Sequence, residues 1–237
     1  MNKLDHIRIV LCQTSHPGNI GAAARAMKTM GLSRLYLVRP RKFPHAESYA
    51  LASGATDVLE NIVVCETLEQ ALQGCSLVIG LTARKRELSH EAISPREAAA
   101  EALAIAASQE VALVFGGETN GLSNEELILC QRLTHIPANP EYSSLNLAAA
   151  VQVLAYELHM AAEAAPQITS KRLQLATHDE VEGFYVHLEQ TLIDIGFLDP
   201  ALPKRLMSRL RRLFTRARLQ KEEVNILRGI LKSISEK

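Results

Sequence analysis

Six short, nearly continuous apolar runs alternate with helical stretches along the first two thirds of this chain. No other feature constrains its fold as strongly. The runs are Ile7–Cys12 (IRIVLC), Arg34–Val38 (RLYLV), Ile62–Cys65 (IVVC), Leu77–Gly80 (LVIG), Val111–Phe115 (VALVF) and His135–Pro137. Strands that are apolar at consecutive positions are buried on both faces, as in a parallel sheet covered by helices. The intervening helices have readable starts. Thr67 with Gln70, Ser94 with Pro95 and Glu97, and Ser123 with Glu126 fit N-terminal caps. Gly31 and Gly74 fall where helices should stop. The expected fold class is α/β, a parallel sheet with helices on both faces.

The pattern changes after Ala164. Residues 165–176 mix Pro, Ser, Thr and charges and read as a linker. Beyond them only helices are expected, at Thr177–Gly196, Pro203–Ala217 and Gln220–Ser235, the first capped by Thr177 with Glu180. Two domains follow, an α/β domain over 1–164 and a small all-helical extension over 177–237.

Composition narrows the classes. With 47% hydrophobic residues and 26 basic against 26 acidic residues, the chain is not disordered as a whole. Cys12, Cys65, Cys75 and Cys130 are far apart, with no Cys-x-x-Cys pair, so no zinc site and no metal are expected, and Cys12, Cys65 and Cys75, in or beside apolar runs, are expected to be buried reduced thiols. The start MNKLDHIRIV lacks the core of a signal peptide, and no run is apolar for long enough to span a bilayer, so a cytoplasmic protein is expected. The balanced charge hides one asymmetry. Lys204–Arg218 (KRLMSRLRRLFTRAR) holds seven basic residues and no acidic one. Such a block suits a polyanion, although basic amphipathic helices also bind membranes and proteins. The candidate polyanion contacts there are Lys204, Arg205, Arg209, Arg211, Arg212 and Arg216.

Ligands in parallel sheets bind beyond the carboxyl ends of the strands, so the loops there carry the chemistry. After the first strand, Pro17-Gly18 makes a turn, Asn19 can cap, and a helix rich in Gly and Ala carries Arg25. After the fourth, Leu81-Thr82-Ala83 precedes Arg84, Lys85 and Arg86, which suit either phosphate or water. After the fifth, Gly116, Gly117 and Gly121 permit close backbone approach, and Glu118 sits among them, placed to orient a ligand or an Arg. The last loop, Asn139–Asn146 (NPEYSSLN), opens an almost wholly apolar helix that Ser143 or Ser144 can cap. Such glycine- and serine-rich loops offer many backbone donors and acceptors, which suits a nucleoside. Dinucleotide and Walker fingerprints are absent, and the eight histidines are scattered.

In this order the loops resemble the SPOUT superfamily of S-adenosylmethionine-dependent RNA methyltransferases. NIGAAARAM resembles its first motif, LVFGGETNGLSNEEL its second and IPANPEYSSLNLAAAVQVLAYE its third. With the tail LRRLFTRARLQKEEVNILRGIL, nearly the whole chain is similar to bacterial tRNA 2′-O-ribose methyltransferases that act on cytidine or uridine at position 32, in the anticodon loop. At Gly117 that group commonly has a larger residue, often Arg. The resemblance implies a trefoil knot at the end of the α/β domain and a homodimer whose active site lies near the subunit interface. The apolar helix after Ser144 would pass through the knot and pack in that interface. The resemblance also implies Arg25, Ser144 and Asn146 as catalytic residues. Leu81, Thr82, Ala83, Gly116, Glu118, Gly121, Ile136, Ser143, Ser144 and Leu145 would hold the cofactor. Arg84, Arg86 and the tail would hold tRNA. Methylation of another RNA site, and tRNA binding without catalysis, are the competing expectations.

Overall fold

The computed structural model describes residues 2–83, 92–164 and 174–235. The first unit holds six strands: β1 (Ile7–Cys12), β2 (Arg34–Val38), β3 (Val63–Cys65), β4 (Cys75–Leu81), β5 (Glu110–Phe115) and β6 (Arg132–Thr134). Its helices are α1 (Pro17–Thr29), α2 (Ala46–Ala52), α3 (Thr56–Glu60), α4 (Leu68–Leu72), α5 (Pro95–Ile105), α6 (Asn124–Ile128) and α7 (Leu147–Ala164). The second unit holds α8 (His178–Asp194), α9 (Leu206–Ala217) and α10 (Lys221–Ser235), and the two compact units divide at Ile168–Thr169. No helix among the described residues is long and apolar enough to cross a membrane.

The strands form one parallel sheet in the order β3-β2-β1-β5-β4-β6. All six residues of β1 are buried. Ile7, Ile9 and Leu11 face a core shared with α1, α5 and α7, while Val10 and Cys12 face a second core with α4. This is the two-sided burial expected of continuous apolar strands. All four cysteines are buried free thiols.

The capping boxes at Thr67, Ser94, Ser123 and Thr177 are present. Gly31 and Gly74 adopt φ of 80° and 73° just beyond α1 and α4. In α1, a Cβ on Gly21 would lie 2.0 Å from the Ser48 carbonyl oxygen, so this glycine lets α2 cross α1 at backbone contact.

Three expectations require correction. The sixth strand is Arg132–Thr134 rather than His135–Pro137. Its register is set by β4, with Ile79 beside Arg132 and Leu81 beside Thr134, and β4 ends there. Asn19 does not cap α1, because the helix already begins at Pro17 behind His16. Neither Ser143 nor Ser144 caps α7. The Asn146 side-chain oxygen does so, accepting from Ala148 N (2.9 Å) and Ala149 N (3.3 Å).

The chain beyond β6 takes an unusual path. Thr82 N donates to the Thr134 carbonyl, Ile93 N to that of Leu133, and His135 N to that of Ile93. The segment thus runs between the two ends of the earlier connection from Thr82 to Ile93.

In the second unit, Phe184, Tyr185, Val224 and Leu231 form a small core, and Phe214 meets Phe184 edge-on at 4.9 Å. Leu175 pairs with Gln220 and Ala176 is buried, so the packed unit begins before Thr177.

Candidate active site

A cavity opens at the carboxyl ends of β4 and β5. Leu81–Ala83, Gly116–Leu122, Ile136, Ser143–Leu145, Leu147 and Ala150 line it, with Phe115. All ten residues expected around a cofactor, from Leu81 to Leu145, lie on this one wall. Gly117, Thr119 and Asn120 also line it and were not singled out as contacts; their only sequence signal is membership of the glycine loop. The loop closes on itself. Gly121 N donates to the Gly117 carbonyl at 2.9 Å, with Gly121 at φ 65°. A Cβ on Gly116 would lie 2.1 Å from the Gly121 carbonyl carbon, so only glycine fits there. At Gly117 the nearest atom would be Gln13 O at 3.4 Å, which leaves room for a side chain.

Glu118 ties this loop to the start of α1. One carboxylate oxygen accepts from Ser15 N and Ser15 Oγ, both at 3.0 Å. The other accepts from His16 N (3.2 Å) and Asn19 Nδ2 (2.9 Å). Burial raises the carboxyl pKa, but the bonds from Ser15, Asn19 and His16 outweigh it and hold the group down at about 2. The negative charge also faces the positive end of the α1 dipole.

An ionised carboxylate only accepts, so Asn19 must present its amide nitrogen to Glu118 and its oxygen outward. That oxygen accepts from Asn146 Nδ2 at 2.9 Å, which turns the Asn146 oxygen onto the start of α7. One charge on Glu118 thereby sets both amides and joins the three motif loops. Glu118 stands at the cavity but acts within the protein, and Asn146 likewise has a capping role beside any catalytic one.

Arg25 stands exposed on α1. It does not line the cavity of its own chain, and no hydrogen bond joins its side chain to Ser144 or Asn146. Arg84 and Arg86 lie outside the described residues. In the tail, Lys204, Arg205, Arg209, Arg212 and Arg216 are exposed. Arg211 differs. It forms a two-pronged pair with Glu182 (2.6 and 2.8 Å) and stacks 4.4 Å over the Tyr185 ring, so it organises the helical unit. Among the described residues no group of three or more His, Cys, Asp or Glu is placed to hold a metal ion.

A parallel sheet with a glycine-loop cavity at its carboxyl end, joined to a basic helical unit, is the setting in which the comparisons with known proteins fall. The SpoU rRNA methylase family model matches residues 6–156, and that of the tRNA methyltransferase TrmJ C-terminal domain matches residues 179–237. The chain belongs to the SpoU methylase family. Over 239 aligned residues it is 57% identical to the Pseudomonas aeruginosa protein named tRNA (cytidine/uridine/adenosine-2′-O-)-methyltransferase TrmJ, covering 96% of this chain and 93% of that one. The crystal structure of TrmJ from Zymomonas mobilis is 33% identical, with a TM-score of 0.84 over 96% of this chain and 98% of that one. The SpoU methyltransferase AviRb from Streptomyces viridochromogenes, solved with AdoMet, shares the fold at a TM-score of 0.55 and 21% identity, covering 68% and 62% of the two chains. The SPOUT resemblance of the loops is thus borne out.

Proposed function

We propose that this chain transfers a methyl group from S-adenosylmethionine to the ribose 2′-hydroxyl of cytidine or uridine at tRNA position 32. The observation that carries the reading is the convergence of the sequence-distant loops 81–83, 116–122 and 143–145 on one cavity, with Glu118, Asn19 and Asn146 tying the last two to the start of α1. The names of the full-length relatives supply the acceptor class, and the P. aeruginosa relative's name adds adenosine to it.

The cavity fits the cofactor. Leu81, Ile136 and Leu147 offer apolar walls for a purine, and the loops 81–83, 116–121 and 143–145 offer backbone donors and acceptors around it. The bound cofactor supplies a methyl group on a sulfonium. The rest is left to the protein, which must hold the 2′-hydroxyl in line and stabilise the charge it develops. Arg25 suits the second task. A guanidinium only donates, so it is no general base; it binds an adjacent phosphate, whose oxygen takes the hydroxyl proton as the new O–C bond forms and the sulfonium S–C bond breaks, and it stabilises the charge on the 2′-oxygen. Ser144 and Asn146 orient the ribose or Arg25.

Arg25 is exposed and lies away from its own chain's cavity, which supports action in the cavity of a partner in a homodimer. Tyr142, Leu145, Tyr156 and Met160 are exposed, Leu145 in the cavity lining and Tyr156 and Met160 four residues apart on α7, and they suit that interface. The passage of residues 133–135 between Thr82 and Ile93 supports the threaded path of a knot. The exposed cations of the helical unit hold tRNA through its phosphates and set register rather than read bases.

The test is methyl transfer from labelled S-adenosylmethionine to unmodified tRNA. Arg25→Ala should lower the rate by at least ~100-fold while cofactor affinity stays within about twofold. An active Arg25→Ala enzyme would overturn the assigned role, and a wild-type protein that binds both ligands without transfer would leave only tRNA binding.

A further inference from the structure

Between Asp5 and Glu47 the sequence contains no acidic residue, yet it carries seven Lys or Arg. The fold sorts these seven. Arg8 and Arg34 pair with Glu110 at the far, amino-terminal end of the sheet, and Lys28 pairs with Asp57. Arg25, Arg39, Arg41 and Lys42 remain exposed with no ion pair to any described residue. Three of these four sit on the loop after β2.

That loop is held to the catalytic side of the molecule by its backbone. Arg39 N donates to the Cys65 carbonyl, and Arg41 N to that of Thr14, at 3.0 Å each. Gln13 N donates to the Val38 carbonyl at 2.8 Å. The loop is therefore laced to the connection whose Ser15 and His16 grip Glu118. Downstream, Ser48 Oγ donates to the Pro17 carbonyl at 2.8 Å, which fixes α2 on α1, the helix of Arg25. Strand register gives the spacing. Cys12 lies beside Val38 and Leu11 beside Phe115, so Val38 and Gly116 stand at the same level beside Cys12, two strands apart, and Arg39 follows one residue further on. At ~4.8 Å per strand that separation is about 10 Å.

We infer that the loop Arg39–His45 is a second RNA-backbone contact, built into the catalytic unit, that holds phosphates next to the target nucleotide. The inference rests on the tRNA methyltransferase reading above. Cations kept unpaired on a braced loop near a cavity attract a polyanion, and fixed cations next to the reacting ribose set register more tightly than those of a separate unit. The loop does no chemistry, so its signature is affinity and salt dependence.

The test neutralises the loop in the full-length protein as Arg39→Asn/Arg41→Gln/Lys42→Gln. Asn is chosen at 39 because φ is 46° there, a left-handed position that Asn tolerates. Tight tRNA binding is measured across a salt series, with KM and kcat for transfer and S-adenosylmethionine affinity alongside. Three lost contacts at ~0.7–0.9 each should lower the slope of log K against log salt by about 2–3. KM should rise at least ~10-fold, with kcat and cofactor affinity within about twofold, and Arg41→Lys should keep wild-type affinity. If the wild type methylates tRNA and the neutralised loop leaves slope and KM unchanged, the loop assignment alone is overturned. A fall in kcat or cofactor affinity at constant KM also overturns it, because the loop would then act through the fold. A wild type that binds no tRNA overturns this inference and the reading beneath it together.

Discussion

Replacing Glu118 with Gln keeps the shape of the side chain and removes its charge. The two carboxylate oxygens accept two donors each, Ser15 N and Oγ on one and His16 N and Asn19 Nδ2 on the other. A glutamine amide can accept at only one of these positions, so one orientation sets its nitrogen against the His16 and Asn19 donors, and the other sets it against Ser15 N–H, where the Ser15 hydroxyl alone can turn to accept. A drop from the ordinary 4.5 to about 2 corresponds to at most ~3.4 kcal/mol at ~1.36 kcal/mol per pH unit. Glu118 is partly exposed, and solvent screening roughly halves that figure. One lost charge-assisted bond, that of Ser15 N in the better orientation, at ~1.5–3 kcal/mol gives the same answer, ~2 kcal/mol. For a unit of this size the thermal midpoint should fall by about 4–8 °C at pH 7. The sign with pH is fixed. A carboxyl held down in the folded state stabilises fully above its unfolded value of 4.5, and loses that contribution as pH falls toward about 2. The gap between wild type and variant should therefore close between about pH 4.5 and pH 2. Equal stability at pH 7, or a gap that persists undiminished near pH 2.5, would refute the account of Glu118 as the charged lock of the site.

Gly116→Ala should lower S-adenosylmethionine affinity at least ~10-fold by calorimetry, because the new methyl overlaps the Gly121–Leu122 backbone and must push the loop open. Arg211→Ala should cost ~2 kcal/mol in the urea unfolding of the helical unit, since it leaves Glu182 without its pair and strips the face of Tyr185. Native cysteines should react with a thiol reagent at pH 8 at under ~1% of the denatured rate. All four are buried, and burial together with Glu126 pushes the Cys130 thiol up to about 12.

Local pattern was enough for most of the architecture. The β1 and β2 ranges and four capping boxes follow from residue types at fixed spacings, and the structure has them. The sixth strand was misplaced because its bounds come from pairing with β4, which no local property of His135–Pro137 records. The capping roles failed for a related reason. Asn19, Ser143 and Ser144 are all good cap residues, and what decides among candidates is the Glu118 charge, brought in from β5 to fix Asn19 and through it Asn146. The cavity-lining loops were legible because glycine and serine mark places where backbone must face a ligand. Arg211 looked like the other tail cations, since sequence does not show that Glu182 and Tyr185 lie across from it. The separation of the first seven cations into paired and unpaired sets was equally out of reach, because Glu110 is distant in sequence from Arg8 and Arg34.

The most direct test of the central claim is to incubate the purified full-length protein with S-adenosylmethionine and unmodified tRNA, then map the product by nuclease digestion and mass spectrometry. The account predicts one added methyl group, on the ribose of cytidine or uridine at position 32, and none with Arg25→Ala. A methyl group on a base, or no methyl group from protein shown to bind both ligands, would contradict it.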